Sequence, residues 1–342
     1  MSETLADIGE FGLIRRIDRI IKEKGLQAPE VTQGIGDDCA IFKPREGLEL
    51  LVTCDSVIEG RHFLKDHIDP LSLGRRAMAL NISDIGAMGG RPRYALISLG
   101  LEVDIPIGEV EAMYKGFLME LNPLGGAIIG GNLTRVSDAM FIDITLIGDI
   151  EPGKIVRRST AKAGDIILIT GYPGEAAAGL KLLLKGPQDE SLHNHPLVQA
   201  YNTPSHRARE GQAVSESGLA TSMIDTSDGF LGDLGHICRE SAVGALLIQE
   251  QLPISGNLRQ AADRLGLDPL ELILRDSDDY ELIITCPPEG GDAIQAVVSS
   301  VSDVTVTEVG RITADAGQIN LKQPDGGMTE LQPAGWDHFM EG

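Results

Sequence analysis

Carboxylates recur along the chain beside glycines and at the ends of apolar runs, where side chains are placed to do chemistry. The set comprises Asp37, Asp38, Asp55, Asp84, Asp225, Asp228, Asp276, Asp278 and Asp279. Carboxylates that converge repel one another unless cations neutralise them. Mg²⁺ suits that role because it prefers hard oxygen ligands and also binds phosphate oxygens. Each aspartate taken alone is typical of a turn or a helix cap, but adjacent acids at the ends of separate strands favour a metal site.

The chain as a whole is acidic, with 29 Lys plus Arg against 51 Asp plus Glu and a net charge of -22. A chain with this charge balance is not expected to have the basic surface by which proteins bind nucleic acids. No apolar run approaches the roughly 20 residues that span a bilayer, and no signal peptide is recognised. The cysteines, at positions 39, 54, 238 and 286, show no paired spacing, so we expect buried thiols in a reducing compartment. We therefore expect a cytoplasmic protein without nucleic-acid or membrane partners.

One predicted strand and one predicted helix position several of the acids. The stretch LELLVTCDS predicts a strand ending at Asp55, and PLSLGRRAMALNISDIGAMGG predicts a helix that begins near Pro70 and ends before Gly89-Gly90. Asn81 and Asp84 are three residues apart on this helix and therefore share a face. We expect Asp84 to point toward the region that Asp55 faces.

The remaining pattern predicts a mixed α/β protein of two domains, 1–152 and 153–342. Helices are predicted over 5–24, 108–121 and 289–301, and strands over 94–103, 125–132, 139–150 and near 304–312. A strand, a glycine turn and a helix are predicted over 166–186, a strand end, an acidic turn and a helix over 222–241, and a turn feeding a strand over 276–288. We expect the second domain to complete a site begun by the first.

Glycine pairs and one serine complete the candidate chemistry. Gly89-Gly90, Gly125-Gly126 and Gly130-Gly131 could let backbone N–H groups approach phosphates, although glycine pairs are more often tight turns. Neither a P-loop nor a complete G-x-G-x-x-G fingerprint is present. Ser227 lies in DTSDG rather than G-x-S-x-G, so it is better suited to bonding a phosphate or capping a helix than to nucleophilic attack. A kinase of another design remains open.

A set of short motifs, in order, resembles the thiamine-monophosphate kinase family over residues 9–339. The motifs are GIGDDCA, TCDS, EGRHF, NISDIGAMG, IIGGN, RRSTAKAGD, IDTSDG, DDYEL and GWDHF. The resemblance implies the two-domain ATP-binding fold shared with aminoimidazole ribonucleotide synthetase, with an N-terminal sheet that forms a homodimer. It also implies transfer of the γ-phosphoryl group of ATP to thiamine monophosphate, giving thiamine diphosphate.

The same resemblance implies roles for individual residues. The Mg²⁺ ligands would be Asp38, Thr53, Cys54, Asp55, Asp84, Asn132, Asp225 and Asp228. ATP would contact Gly131, Asn132, Arg158, Ser227 and Tyr114, and thiamine monophosphate would contact His62, Asp278 and Trp336. Thiamine's cationic ring suits an acidic pocket with an aromatic face, which Trp336 would supply. No covalent nucleophile or general base is implied, because phosphoryl transfer depends on positioning and charge neutralisation.

The chain departs from the family pattern at two positions, and these keep two alternatives open. Asn132 stands where G-G-D is frequent, so a charged metal ligand becomes a neutral amide. Asp278 stands where a longer carboxylate is common. The alternatives are a related ATP-dependent enzyme of the aminoimidazole ribonucleotide synthetase type, and a nucleotide-binding module without turnover.

Overall fold

The computed structural model describes residues 3–26, 28–36, 39–186, 189–275 and 277–332. The chain divides into two compact units, the first comprising Met1–Ile85 and Gly90–Gly153 and the second Gly86–Gly89 and Lys154–Gly342. Helices and strands are mixed in both units, as the sequence predicts. Among the described helices, none combines the length and the apolar character needed to cross a membrane.

The first unit is a sheet with helices on one face. Its elements are α1 (Leu5–Lys24), β1 (Val31–Gln33), β2 (Ile41–Phe42), β3 (Glu49–Ile58), α2 (Pro70–Ala87), β4 (Arg91–Leu101), α3 (Ile107–Leu121), β5 (Ala127–Arg135) and β6 (Phe141–Ile150). Four strands form a sheet in the order β3-β6-β4-β5, in which only β4 and β5 are parallel. Ile97 of β4 and Ile144 of β6 are fully buried on the helix-covered face. The other face of this sheet carries partly exposed side chains.

Helix α2 begins and ends where its capping residues predict. Asp69 accepts the backbone N–H of Ser72 at 3.0 Å, which satisfies a donor of the first turn. At the other end Gly89 has φ +83°, and the N–H groups of Gly89 and Gly90 donate to Gly86 and Ile85 carbonyls at 2.8 Å each. This is a Schellman ending, in which glycine supplies the left-handed residue.

The second unit is built around a longer sheet. Its elements are β7 (Ile166–Thr170), α4 (Glu175–Lys185), α5 (Pro196–Asn202), α6 (Ala208–Ser217), β8 (Ser222–Asp225), α7 (Phe230–Ser241), β9 (Gly244–Ile248), α8 (Gly256–Leu265), α9 (Pro269–Leu274), β10 (Leu282–Cys286), α10 (Gly291–Ser299), β11 (Val306–Thr313), β12 (Ile319–Lys322) and β13 (Met328–Leu331). The strand order is β13-β12-β9-β11-β7-β10-β8, and β10 is antiparallel to both of its neighbours.

Both faces of this second sheet are covered around β7 and β10, which are buried along their whole length. Ile167, Ile169 and Ile283 pack into one apolar cluster, whereas Leu168 and Ile284 pack into another. Strands covered on both faces read as continuous apolar runs, which explains why IILIT and LIITC were recognisable in the sequence.

Other sequence predictions were incomplete or wrong. β3 does not end at Asp55 but continues to Ile58, because β6 offers a pairing partner for every residue of the strand. Helices α5, α6, α8 and α9 and strand β9 were not predicted. The expectation of buried thiols is confirmed for Cys238 and Cys286 but wrong for Cys39 and Cys54, which are exposed.

Candidate active site

The first acidic group, called the β3–α2 cluster, consists of Thr53, Asp55, Asn81 and Asp84. The backbone N–H of Asp55 donates to Asn81 Oδ1 at 3.2 Å, and the Thr53 hydroxyl donates to the Asp84 carboxylate. Asn81 is buried, and its Nδ2 donates to the Ala77 carbonyl at 3.2 Å, so its orientation is fixed. The prediction that Asn81 and Asp84 point from one helix face toward Asp55 is confirmed. The cluster presents half-buried hydroxyl and carboxylate oxygens.

Cys54 lies between two members of this cluster in the sequence, but its side chain points to the opposite sheet face, because side chains alternate along a strand. Its Sγ is 3.7 Å from both carboxylate oxygens of Asp143, and the Thr145 hydroxyl is 3.5 Å from the same sulfur. The Ser56 hydroxyl donates to Asp143 as well. The thiol is therefore directed away from the β3–α2 cluster, which leaves only the main chain of Cys54 near Asp55.

Asn132 also faces away from the β3–α2 cluster. The strand register sets Asn132 of β5 opposite Ser98 of β4, and Ser98 opposite Asp143 of β6. Directly paired side chains share a sheet face, so Asn132 is on the face of Asp143. Two strands separate β5 from β3, a distance of about 14 Å at the usual strand spacing. The structure does not bring Asn132 to the β3–α2 cluster.

Gly131 is required by the sheet itself. It pairs with Ile97, and a Cβ at position 131 would overlap the Ile97 carbonyl oxygen. Two strands can approach this closely only where one of them carries no side chain. The glycine thus has a structural reason to be present whether or not ATP binds beside it.

Two further residues that were predicted to contact a ligand, His62 and Tyr114, differ in how deeply they are buried in the first unit. His62 is half-buried in the turn after β3, where its Nδ1 accepts the Ile58 N–H at 3.0 Å. Tyr114 is only 3% exposed on α3, and its ring packs edge-on against Phe117 with 5.2 Å between centroids. Burial raises the pKa of the Tyr114 hydroxyl above its ordinary range. Tyr114 is therefore a core residue, and its position does not support the predicted contact with ATP.

The second acidic group follows β8 and is called the β8–α7 cluster: Asp225, Ser227, Asp228, Asp233 and His236. Asp225 ends β8 and is buried, and the next residues turn into α7 through a glycine. Asp233, buried in the first turn of α7, accepts the N–H of Asp228 at 3.0 Å and also that of Ser227. Asp233 therefore fixes the loop, while the side chains of Ser227 and Asp228 remain half-buried.

The electrostatics of the β8–α7 cluster favour a bound cation. Burial, followed by the charges of Asp225 and Asp228, raises the pKa of Asp233 to about 8. Burial and nearby guanidinium groups, including that of Arg158, lower the pKa of His236. Ligand atoms of Asp228, Asp233 and His236 all lie within 4.8 Å of one another. A cation would relieve the repulsion among these carboxylates, and the exposed Arg158 provides positive charge at the same end of the unit.

The segment 277–281, called the DDYEL loop because it contains the first four residues of that motif, reaches the same edge of the sheet. It leads into β10, which pairs antiparallel with β8, so that Leu282 lies opposite Asp225. The start of one strand and the end of its antiparallel neighbour meet at one edge. The half-buried Asp278 is thereby placed in the loop that neighbours Ser227 and Asp228.

Two buried acids hold the DDYEL loop in place. The Asp279 carboxylate accepts the N–H groups of Gly174 at 2.6 Å and Ala176 at 2.8 Å, and so caps α4. Burial, opposed by these hydrogen bonds, raises the pKa of Asp279 to about 7. Glu281 forms an ion pair with Arg207, in which Nε donates at 2.6 Å and a second guanidinium nitrogen also donates. These two acids therefore have structural roles in the loop.

Several residues of this region were not predicted. Asp233 and His236 were missed, although their spacing of three on a helix that follows DTSDG is a usable signal. Thr226 and Arg207 were missed because their partners are far away in the sequence. Asp38 and Trp336, predicted to bind metal and substrate, lie outside the described residues, as do Asp37 and Asp276.

Comparisons with known proteins agree with this architecture. The model of the AIR synthase related protein N-terminal domain matches residues 36–150, and that of the C-terminal domain matches 162–321. Thiamine-monophosphate kinase of Salmonella typhimurium is 36% identical over 333 residues, covering 97% of this chain and 98% of the relative.

Two crystal structures extend the similarity to three dimensions. The thiamine-monophosphate kinase of Stenotrophomonas maltophilia superposes with a TM-score of 0.80 at 32% identity, covering 93% of this chain and 97% of that one. AaThiL, the Aquifex aeolicus enzyme complexed with AMPPCP and TMP, gives a TM-score of 0.76 at 31% identity, covering 99% and 100%. The two-unit mixed α/β fold is that of AIR synthase related proteins, and the chain belongs to the thiamine-monophosphate kinase family.

Proposed function

We propose that this protein transfers the γ-phosphoryl group of ATP to thiamine monophosphate, giving thiamine diphosphate and ADP. The observation that carries the proposal is the meeting of two loops at one sheet edge: the DTSDG loop with Ser227 and Asp228, and the DDYEL loop with Asp278. A relative that shares 31% identity over 99% of this chain is complexed with AMPPCP and TMP. Cytoplasmic location, expected from the sequence, fits a donor such as ATP.

The reaction needs little covalent help from the protein. A phosphate oxygen of thiamine monophosphate forms the new bond to the γ-phosphorus, and the bond from that phosphorus to the bridging β–γ oxygen breaks as ADP leaves. Such transfer depends on alignment of the two oxygens and neutralisation of the transferred group's charge. We assign Ser227 and Arg158 to the phosphates of ATP, with Gly131 and Asn132 as further contacts to the nucleotide.

The oxygen donors assigned here in the two acidic clusters fit Mg²⁺, because hydroxyl and carboxylate oxygens are the hard ligands that this ion prefers. We assign magnesium-binding roles to Thr53, Asp55 and Asp84 of the β3–α2 cluster and, separately, to Asp225 and Asp228 of the β8–α7 cluster. Asp38 and the main chain of Cys54 complete the proposed set. When bound, Mg²⁺ would neutralise phosphate oxygens.

The thiamine end of the substrate is assigned to His62, Asp278 and Trp336. Asp278 supports this assignment best, since it is half-buried and belongs to the loop that lies beside the DTSDG loop. A carboxylate beside a thiazolium cation stabilises it by charge, and an aromatic ring stabilises it through its π face.

We also propose a homodimer formed through the sheet of the first unit. The face of this sheet that is not covered by helices carries exposed apolar side chains at Leu50, Val52, Ile58 and Leu96. Three of them lie on β3, an edge strand. Exposed apolar side chains on one sheet face are typical of a protein–protein contact.

The activity is tested by incubating the protein with ATP, thiamine monophosphate and a titration of Mg²⁺, with thiamine diphosphate as the readout. We expect a steep Mg²⁺ requirement. Asp228→Asn keeps the size of the side chain but removes its charge, and should lower kcat by about 100-fold or more. Asp303→Asn, an exposed site in the same unit, is the control and should leave kcat unchanged.

Other outcomes of this assay separate the alternatives. Turnover only with the substrate of aminoimidazole ribonucleotide synthetase would favour the related enzyme. Stabilisation by nucleotide without any product would favour the non-catalytic module. An unimpaired Asp228→Asn would contradict the role given to that residue.

A further inference from the structure

Thr226 joins the DTSDG loop to the DDYEL loop. Its backbone N–H donates to the Glu281 carbonyl at 2.8 Å, and its own carbonyl accepts the Tyr280 N–H at 2.9 Å. Its hydroxyl accepts the N–H of Glu281 at 3.0 Å. Thr226 is fully buried, so these hydrogen bonds do not compete with water. The residue lies between Asp225 and Ser227, both assigned to ligands above.

The bond to the Thr226 hydroxyl replaces one that a regular ladder would make. Beyond the pair Leu282–Asp225, the N–H of Glu281 would ordinarily donate to the Thr226 carbonyl. The N–H of Tyr280 donates there instead, so two residues of one segment lie opposite one of the other, as in a β-bulge. The leftover N–H of Glu281 then needs a side-chain acceptor, and the threonine hydroxyl supplies it.

The backbone of Tyr280 explains why the ladder is irregular. Its φ is +56°, in the left-handed region that aromatic residues rarely adopt. Such strain costs on the order of 1 kcal/mol and persists only where surrounding bonds determine it. Here the surrounding bonds are those to Thr226, so the shape of the DDYEL loop depends on the position of the DTSDG loop.

The far side of the DDYEL loop is fixed and cannot absorb a displacement. The Glu281 carboxylate is held by Arg207 and also accepts the Thr170 hydroxyl at 2.6 Å. A Cβ at Gly171 would overlap this carboxylate, which shows how closely the backbone encloses it. Asp279 is anchored to the first turn of α4. Tyr280, between these two anchored acids, is therefore the residue whose backbone is tied directly to the DTSDG loop.

We propose that Thr226 is a positioning residue that couples the two loops, so that binding of ATP at the DTSDG loop raises the affinity of the DDYEL loop for thiamine monophosphate. By linkage, thiamine monophosphate raises the affinity for ATP by the same factor. The inference rests on the function proposed above. Thr226 touches neither ligand in this account and acts through Glu281 and Tyr280.

A pair of variants separates the hydroxyl from the rest of the side chain. Thr226→Val keeps the branched shape but leaves the buried Glu281 N–H without its acceptor, which is unfavourable. Thr226→Ser loses a methyl group and keeps the acceptor. If the hydroxyl carries the coupling, serine preserves it and valine abolishes it.

The coupling is measured by isothermal titration calorimetry of thiamine monophosphate with and without saturating AMPPCP, at fixed Mg²⁺. We expect AMPPCP to tighten binding by at least about fivefold in the wild type and in Thr226→Ser, and by less than about twofold in Thr226→Val. A wild type that binds neither ligand and forms no product overturns the proposed function and the inference with it. A wild type that turns over normally, with Thr226→Val coupled as strongly as wild type, overturns the inference alone.

Hydrogen exchange of the wild type provides a measurement that does not depend on the folding of a variant. Thiamine monophosphate alone should slow exchange of the Thr226 and Asp228 amides, and AMPPCP alone should slow exchange of the Tyr280 and Glu281 amides. Protection of only one loop by each ligand would show that the loops respond independently and would contradict the proposal.

Discussion

Arg207 and Glu281 show how individual residues of the second unit support the candidate site without belonging to it. Both side chains are largely buried, at 15% and 7% exposure. The ion pair and the hydrogen bond from the Thr170 hydroxyl hold the end of the DDYEL loop in place. Removal of one partner of a buried pair is more harmful than the net energy of the pair suggests, because the other charge is left uncompensated.

Arg207→Ala should therefore lower the free energy of unfolding by about 3 kcal/mol. Arg259→Ala, on α8 at an exposed position, is the matched control and should change it by less than about 0.5 kcal/mol. Urea denaturation followed by circular dichroism measures both. Equal effects of the two substitutions would mean that the Glu281 carboxylate does not depend on Arg207.

At the scale of an element, helix α4 depends for its N-terminal cap on a residue that is distant in the sequence. Its N-cap is Gly174, with φ +92°, which has no side chain to bond the first-turn N–H groups. Asp279 supplies that acceptor from a segment about a hundred residues away. The start of α4 and the position of the DDYEL loop are therefore determined by the same carboxylate.

The raised pKa of Asp279 predicts a pH dependence of stability. Burial places this pKa at about 7 in the folded protein, above its value of 3.8 in model compounds. Between these values the folded state binds a proton that the unfolded state has lost, so stability decreases as pH rises through this window. Asp279→Asn cannot titrate but still caps the helix.

Urea unfolding at about pH 5 and about pH 7.5 checks this expectation, since the two values lie inside and just above the window. The wild type should lose more stability between them than Asp279→Asn does. If both proteins show the same change, Asp279 is ionised in the folded state throughout, and its hydrogen bonds outweigh its burial.

Elements with local signals could be predicted from the sequence, whereas those that depend on distant partners could not. Pro70 and Gly89-Gly90 mark α2, and Asn81 and Asp84 share its face, because capping and helical spacing are local. The length of β3 depends on β6, so Asp55 was misplaced at a strand end. The sheet face on which the Asn132 side chain lies depends on the register of β5 with β4. The hydrogen bonds between Thr226 and Glu281 depend on β8 lying beside β10. Sequence spacing does not contain these relations.

At the scale of the whole molecule, the face of the first sheet opposite its helices bears on assembly. Val52 is 66% exposed on an edge strand, and it lies opposite Ile147 of β6, which is half-buried. In the proposed homodimer this face would be excluded from water. A charge introduced there would be desolvated in both copies at once.

Val52→Lys should convert a dimeric wild type to a monomer in sedimentation velocity experiments. Lysine is tolerated on edge strands, so the fold itself should persist. Leu184→Lys, at a residue 60% exposed on α4, is the control and should leave the sedimentation coefficient unchanged. A wild type that sediments as a monomer would contradict the assembly, and so would a dimeric Val52→Lys.

The contact between Gly131 and Ile97 limits what genetics can reveal about nucleotide recognition. Every replacement at position 131 displaces the adjoining backbone, so a saturation library selected for growth would return only glycine codons there, whatever the ligand. Intolerance at this site would report on β-sheet assembly and not on ATP. Position 132 is not restricted in this way. The residues that survive selection there would show whether function prefers an amide or an acid.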